Sequence, residues 1–417
     1  KREQFIGIHF FNPPRYMHLV ELIPCVTTKL EHINSLEEFL VTSLGKGVVV
    51  AKDTPNFIAN RIGVFNLLAT IHHAEKLNIP FEVVDQITAK PLGRPKSGTF
   101  RTMDVVGLDV LSHVVQTMDD NLNGDPWHNY YQLPEYIRAL IKEGALGQKV
   151  GKGIYINKGK QVFSPKEKRH IDANAHVDDV LAGILKNKDW SQRFNILKDD
   201  KSEQVQFVYR MLIDLFHYCC FHLEDIASSA ADIDFAIRWG FGWSQGPFEI
   251  MQAIGWSDVI AAIEKHIKTD QAMSKTNLPE WSKSLSEVHH ADGSWSPIQK
   301  TYLPLRNNPV YTRQKLRENV ISRKTGLGST IFENDSVRLW NQDDDIAILS
   351  FKTKMHTISE AVLDSVLQAC DEADKNHAAL VLWHPTTPFA VGADLTQVGN
   401  ELKAGNVVAV DGIVKKF

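Results

Sequence analysis

The sequence predicts a mainly α chain with α/β portions: the end of one α/β sheet, then two tandem all-helical modules, then the start of a second α/β domain. Three observations predict it. A continuous β-branched run, "GVVVAKD" at 47–53, reads as a buried parallel strand. A helical stretch then recurs: Arg61, Glu75 and Asp85 are matched by Arg210, Glu224 and Asp234, each 149 residues on. Beyond residue 331 the helical pattern gives way to a hairpin, an amphipathic helix and a buried strand in succession.

In chain order, residues 5–10 and 19–23 read as short strands, and "NSLEEFLVTSL" at 34–44 as a helix capped by Asn or Ser. After the 47–53 strand, "DTPNFIANRIGVFNLLATIHHAEKL" starts a long helix. Asp53 or Thr54 is its expected cap, with Pro55 in the first turn. The repeat covers 60–111 and 209–260. It extends to Gly98 and Phe100, matched by Gly246 and Phe248, and to Gly107 and Asp109, echoed by Gly255 and Asp258. Two copies of one helical module are expected to pack on each other. Residues 303–331 are polar with Pro, Asn, Arg and Gly, and read as a linker. Then "VRLWNQDDDIAILSF" (337–351) reads as a hairpin, 359–376 as an amphipathic helix, "AALVLWH" as a buried strand and "FAVGADL" (389–395) as a glycine-containing turn.

Composition narrows the function. A net charge of −4 gives no basic excess to neutralise phosphates, which argues against a nucleic-acid partner. No apolar run approaches the length of a membrane span, "VVVA" at 48–51 being typical of the longest, so none is expected. The 4 cysteines (Cys25, Cys219, Cys220 and Cys370) form no disulfide framework and read as buried or inert thiols of a reducing, cytoplasmic compartment. No metal site is expected. His72–His73 and His289–His290 are adjacent pairs that do not share a helix face, and His217 and His222 have no carboxylate or cysteine at ligand spacing. "GFGWSQG" at 240–246 has the spacing of a dinucleotide loop only at its start and does not follow a strand.

The opening "FIGIHFFNPPRYMHLVELIP" raises a chemical question. His9 lies in an apolar strand and Glu21 in a second one. A lone histidine in such a run is ordinarily a satisfied core residue. A histidine that meets a carboxylate can instead serve as a catalytic group, because imidazole exchanges a proton near neutral pH.

Taken together, "GIHFFNPP", "LVELI", "KDTPNFIANR" and "LGRPKSGTFRTMDVVGLD" resemble the L-3-hydroxyacyl-CoA dehydrogenase family of fatty-acid β-oxidation, over about residues 4–155. The second, degenerate helical copy is similar to the arrangement in large multifunctional β-oxidation proteins. "FAVGADL" resembles the signature turn of an enoyl-CoA hydratase (crotonase) domain. The resemblance divides the chain into the end of a Rossmann-like NAD-binding domain (1–54), a first helical dehydrogenase C-terminal domain (55–155), a second helical repeat (190–302), the linker (303–331) and the start of a crotonase-like domain (332–417).

The resemblance also implies roles. His9 is the base for the substrate hydroxyl, Glu21 orients its ring, and Asn60 bonds the reacting oxygen. Asn12 and Lys149 are implied contacts of the NAD cofactor. The backbone N–H of Ala393 is implied as one oxyanion donor of the crotonase-like part. Acyl-CoA thioesters are the implied substrates and a thiolase the implied partner. The glycine-rich NAD loop and the hydratase glutamates of the family have no counterpart in these residues. The sequence is therefore expected to be a fragment, inactive alone, whose parent is both dehydrogenase and hydratase. A 3-hydroxybutyryl-CoA dehydrogenase of butanoate metabolism and a non-catalytic acyl-CoA-binding scaffold are the alternatives.

Overall fold

A computed structural model describes residues 2–313, 328–342, 345–384 and 388–416. The chain divides into two compact units, at residues 1–321 and 322–417.

The first unit opens with a three-stranded sheet in sequence order. Strand β1 (Ile6–Phe10) pairs antiparallel with β2 (Leu19–Pro24). After helix α1 (Leu30–Thr42), β3 (Gly47–Val50) returns parallel to β2. Strand alternation sorts the side chains. Val20, Leu22 and Val48 face α1 and pack on its Ile33, Leu40 and Val41, while Leu19, Ile23 and Val49 face the helical core. Glu21 lies on that second, odd-numbered face.

The helical part runs α2 (Ala59–Lys76), α3 (Phe81–Ile87), α4 (Phe100–Val106), α5 (Leu108–Asn121) and α6 (Glu135–Lys142). A small sheet of β4 (Tyr155–Ile156), β5 (Gln161–Ser164) and β6 (Arg169–Asp172) follows. Next come α7 (Asp179–Lys186), α8 (Trp190–Asp199), α9 (Glu203–Ile226), α10 (Ala230–Phe241), α11 (Pro247–Ile254), α12 (Trp256–Lys268) and α13 (Glu280–Ser284). A second small sheet closes the set: β7 (His289–His290), β8 (Gly293–Ser296) and β9 (Thr301–Leu303).

Matched residues of the two copies do matched work. Asp85 accepts from the backbone N–H of Thr99 and Phe100 at 2.7 and 2.6 Å, at the start of α4, and from the Tyr155 hydroxyl at 2.8 Å. Asp234 accepts from the N–H of Phe248 at 2.9 Å, at the start of α11, and bonds His289 at 2.7 Å. Gly98 and Gly246 sit against these aspartates. A methyl at Gly98 would stand 2.5 Å from the Asp85 carbonyl oxygen, and one at Gly246 2.2 Å from Asp234 Oδ1. The first long helices of the copies, α2 and α9, pack together, with Phe65 stacked on Tyr218 at 3.7 Å. Beside that stack the buried Arg61 guanidinium donates to Tyr218 Oη (2.5 Å) and Asp125 (2.6 Å). Both copies share one apolar core.

Three expectations need correction. The start of α2 has no local side-chain cap; neither Asp53 nor Thr54 fills that role, and the acceptor comes from β2 instead. The supposed linker is docked over its first part. Arg306, Asn308 and Tyr311 all bond the fully buried Glu37 of α1, with Tyr311 Oη at 2.6 Å, and Val310 is buried beside them. Burial raises the Glu37 pKa, but the hydrogen bonds from Arg306, Tyr311 and Asn308 outweigh it and hold the carboxyl below its usual range. Residues 314–327 of the linker lie outside the described residues. Finally, Cys370 is exposed rather than buried, while Cys219 and Cys220 are buried thiols whose pKa burial raises.

The second unit holds a four-stranded sheet ordered β10 (Ser329–Glu333), β11 (Val337–Asn341), β12 (Ile346–Phe351), β13 (Ala379–Leu382). The first pairings are antiparallel, and β13 joins β12 in parallel after the crossover helix α14 (Glu360–Asn376). Ser359 caps α14 through the Val362 N–H. The predicted buried strand β13 is instead largely exposed, with Val381 and Leu382 open to solvent at the sheet edge. Helices α15 (Leu395–Lys403) and α16 (Val407–Lys415) follow.

Candidate active site

His9 and Glu21 are direct cross-strand partners in the β1–β2 register, so both side chains project from the same face. That face points at the helical part. His9 Nδ1 lies 2.7 Å from Glu21 Oε2. The carboxylate is fully buried, and its other oxygen accepts from the backbone N–H groups of Ile58 and Ala59 at 3.0 and 2.9 Å. These are orphan donors at the start of α2, where the helix dipole also favours negative charge. Glu21 is thereby set as an acceptor. The imidazole carries its proton on Nδ1 and leaves Nε2 with a lone pair.

The His9 ring is about a third exposed and opens into a cleft of about 480 Å³. Asp53, Thr54, Pro55, Asn56, Phe57, Asn60, Thr117 and Asn121 line the cleft with it. Asn60 stands in the first turn of α2, one residue beyond the two N–H groups that Glu21 holds. One carboxylate therefore ties the sheet that carries His9 to the helix that carries Asn60.

Phe11 and Phe57 flank the imidazole, with ring centroids 5.0 and 5.4 Å away. Phe57 reaches this place because Asn56 and Phe57 both take left-handed backbone angles, φ 64° and 50°. The Asn56 side chain bonds the Val114 carbonyl of α5 at 3.1 Å and anchors the loop. Sequence reasoning missed Phe57, Thr117 and Asn121. The available signal was Asn56, a residue type that tolerates the left-handed region.

The other candidates lie elsewhere. Asn12 is exposed just past the end of β1. Lys149, on a short turn after α6, is not among the cleft-lining residues; its ammonium pairs with both oxygens of Asp109 at 2.6 and 2.7 Å. Ala393 belongs to the second unit, opposite Ile358 in an isolated parallel bridge. That bridge uses the Gly392 carbonyl and the Asp394 N–H, not the N–H of Ala393. Among the described residues no cluster of three or more His, Cys, Asp or Glu is arranged for a metal. His222 does have a carboxylate partner, contrary to its sequence spacing: Asp125 from the first copy lies 3.2 Å away.

The site is thus a sheet end bearing an imidazole–carboxylate pair, set against the first helix of an all-helical module. Comparison with known proteins makes this specific. Residues 1–54 match the 3-hydroxyacyl-CoA dehydrogenase NAD binding domain, and residues 57–157 match the C-terminal domain of the same family. Residues 1–157 are thus similar, domain by domain and in the same order, to the 3-hydroxyacyl-CoA dehydrogenase family. A Bacillus subtilis protein named as a 3-hydroxyacyl-CoA dehydrogenase is 30% identical over 428 aligned residues, covering 100% of this chain and 52% of the relative. A Rickettsia prowazekii protein named as a fatty acid oxidation complex trifunctional enzyme is 27% identical, covering 99% of this chain and 53% of its own length. The chain thus spans about half the length of these curated relatives. A solved Escherichia coli 3-hydroxybutyryl-CoA dehydrogenase aligns at 22% identity with a TM-score of 0.48, covering 64% of this chain and 68% of that one. Among the described residues no helix is long and apolar enough to cross a membrane.

Proposed function

We propose that this chain is part of a fatty-acid β-oxidation enzyme that oxidises (3S)-hydroxyacyl-CoA to 3-ketoacyl-CoA with NAD. The observation that carries this reading is the His9–Glu21 pair, whose carboxylate also holds the start of the helix that places Asn60 in the same cleft.

Each residue has a step it can perform. His9 Nε2 takes the proton of the substrate hydroxyl as the carbonyl forms. Glu21 fixes the reactive tautomer and stabilises the imidazolium that results, the orienting logic of a catalytic triad. The Asn60 amide donates to the substrate oxygen as its charge grows. Phe11 and Phe57 wall the imidazole and limit its contact with water. NAD, when bound, supplies the acceptor for the hydride leaving the same carbon. Asn12, exposed just beyond β1, and the amides of Asn56 and Asn60 in the cleft are the polar groups that would meet the nicotinamide end of that cofactor. Lys149 would contact the cofactor only by exchanging Asp109 for it.

The parent protein is an enoyl-CoA hydratase as well, with Ala393 N–H as one oxyanion donor. Support comes from an N–H left out of the Ile358 bridge and from relatives named as trifunctional enzymes. A thiolase partner and a cytoplasmic location belong to the same proposal; free cysteines without disulfides are in keeping with the location. The test is appearance of NADH when the full-length protein receives 3-hydroxyacyl-CoA and NAD. The expected result is turnover that His9→Ala lowers sharply. No turnover, or equal turnover in the variant, overturns the reading.

A further inference from the structure

We infer that the second helical repeat is a working part of the dehydrogenase site, with Phe241 as a positioning residue that holds His9 and Asn60 in mutual register. The inference rests on the dehydrogenase reading above and assigns a role within it to a segment that has no catalytic pair of its own.

The geometry centres on the C-terminal end of α10. Its Phe241 ring packs edge-on against Phe11 at 6.1 Å, and Phe11 in turn lies 5.0 Å from the His9 ring. The same Phe241 ring is seated on α2 at Gly63. A methyl there would stand 2.0 Å from Phe241 Cζ and 2.2 Å from Cε2. Gly63 follows Asn60 by three residues, so the two share one helix face. Phe241 therefore touches both the segment after the His9 strand and the helix that presents Asn60.

The neighbouring residue confirms how close the approach is. A methyl at Gly240 would meet Leu19 Cδ2 at 2.8 Å, Phe11 Cε1 at 3.2 Å and Ala59 Cβ at 3.3 Å. Leu19 is in β2 with Glu21, and Ala59 is one of the two residues whose N–H Glu21 accepts. A glycine inside α2 weakens that helix relative to alanine, so Gly63 needs a reason. The reason is the space that the Phe241 ring occupies. The tip of α10 is a wedge between the sheet and α2, at the junction that Glu21 also bridges.

A side chain that touches neither substrate nor cofactor can act on catalysis only by placing groups that do. Phe241→Ala should lower kcat by roughly tenfold, short of the about 10²-fold cost of a 1 Å misplacement, with KM for the acyl-CoA changed by less than about twofold. Phe241→Leu, which keeps most of the volume, should recover most of that loss. Phe248→Leu serves as the control: it alters the core of the same repeat on α11 and should lower the thermal midpoint while leaving kcat within about twofold. Gly63→Ala should lower kcat as Phe241→Ala does, and adding Phe241→Leu to it should restore activity rather than lower it further.

A second readout needs no turnover. In the full-length protein, the histidine ring resonance that His9→Gln removes should change its chemical shift in Phe241→Ala and not in Phe248→Leu. If wild-type protein fails to reduce NAD, the dehydrogenase reading falls, and the resonance experiment still decides the positioning role. An unchanged His9 resonance with unchanged kcat in Phe241→Ala overturns the inference. So does a loss of kcat in Phe248→Leu that matches Phe241→Ala at equal loss of thermal midpoint.

Discussion

Replacing Glu21 separates two jobs that one carboxylate performs. Its Oε1 accepts from two buried backbone N–H groups at 3.0 and 2.9 Å, and its Oε2 holds His9 at 2.7 Å. Glu21→Ala removes all three bonds and leaves two buried donors unsatisfied. At about 1–3 kcal/mol for each orphaned group, the expected loss of stability is roughly 2–6 kcal/mol. Glu21→Gln differs. Its amide oxygen can still accept both N–H bonds, so stability should fall by no more than about 1–2 kcal/mol. Its NH₂, however, donates toward His9 Nδ1, which moves the imidazole proton to Nε2, the position that must be empty to act as base. The expected cost in kcat is roughly 10²–10⁴-fold, as for loss of a positioned base or of its tautomer. The assay pairs urea unfolding, followed by tryptophan fluorescence, with kcat for 3-hydroxyacyl-CoA oxidation. Glu21→Gln destabilising as much as Glu21→Ala, or keeping wild-type kcat, would refute the division of roles.

Further expectations concern the site, the histidines and the duplication. His9→Ala should reduce kcat by roughly 10²–10⁴-fold and cost about 1–3 kcal/mol of stability, since buried Glu21 Oε2 loses its partner, while Asn60→Ala should reduce kcat by roughly 10–10³-fold with its unfolding midpoint near wild type; steady-state kinetics and thermal melts check this. Burial is the main cause that lowers the pKa values of His72, His217 and His266 to about 4. Below pH about 6.5 the unfolded chain takes up protons that these groups refuse when folded. Their contribution is therefore complete above about 6.5 and lost as pH falls toward 4, and His217→Leu should flatten that slope in unfolding measured across the window. Gly98→Ala and Gly246→Ala should each destabilise the chain by more than about 2 kcal/mol, since each methyl meets an aspartate at 2.5 Å or less. A tolerated alanine at either position, judged by calorimetry, would contradict the equivalence of the two copies.

Much of the site was legible in the sequence because its chemistry is local in type. His9 and Glu21 stand in strands recognisable from their apolar, β-branched neighbours, and the helical repeat announced itself through matched Arg, Glu and Asp residues at a fixed offset, with glycines one residue out of that register. The parallel strand at 47–50 was equally clear, since a strand covered on both faces must be apolar throughout.

What composition and periodicity could not carry were bonds between distant segments. The cap of α2 is Glu21, 37 residues upstream of Ile58, where local rules favoured Asp53 or Thr54. The polar stretch after residue 303 read as a linker because polarity marks loops, but Glu37 on α1 is buried and needs Arg306, Asn308 and Tyr311 as partners. His222 finds Asp125 across the two copies, and Gly63 makes sense only beside Phe241. The sequence by itself determined which residues carry imidazole, carboxylate and amide groups in this region, and which stretches would be strand or helix. Only the tertiary structure decided which buried carboxylate serves which donor, because a polar group taken out of water must be satisfied by whatever the fold brings within about 3 Å, however far away it lies in the chain.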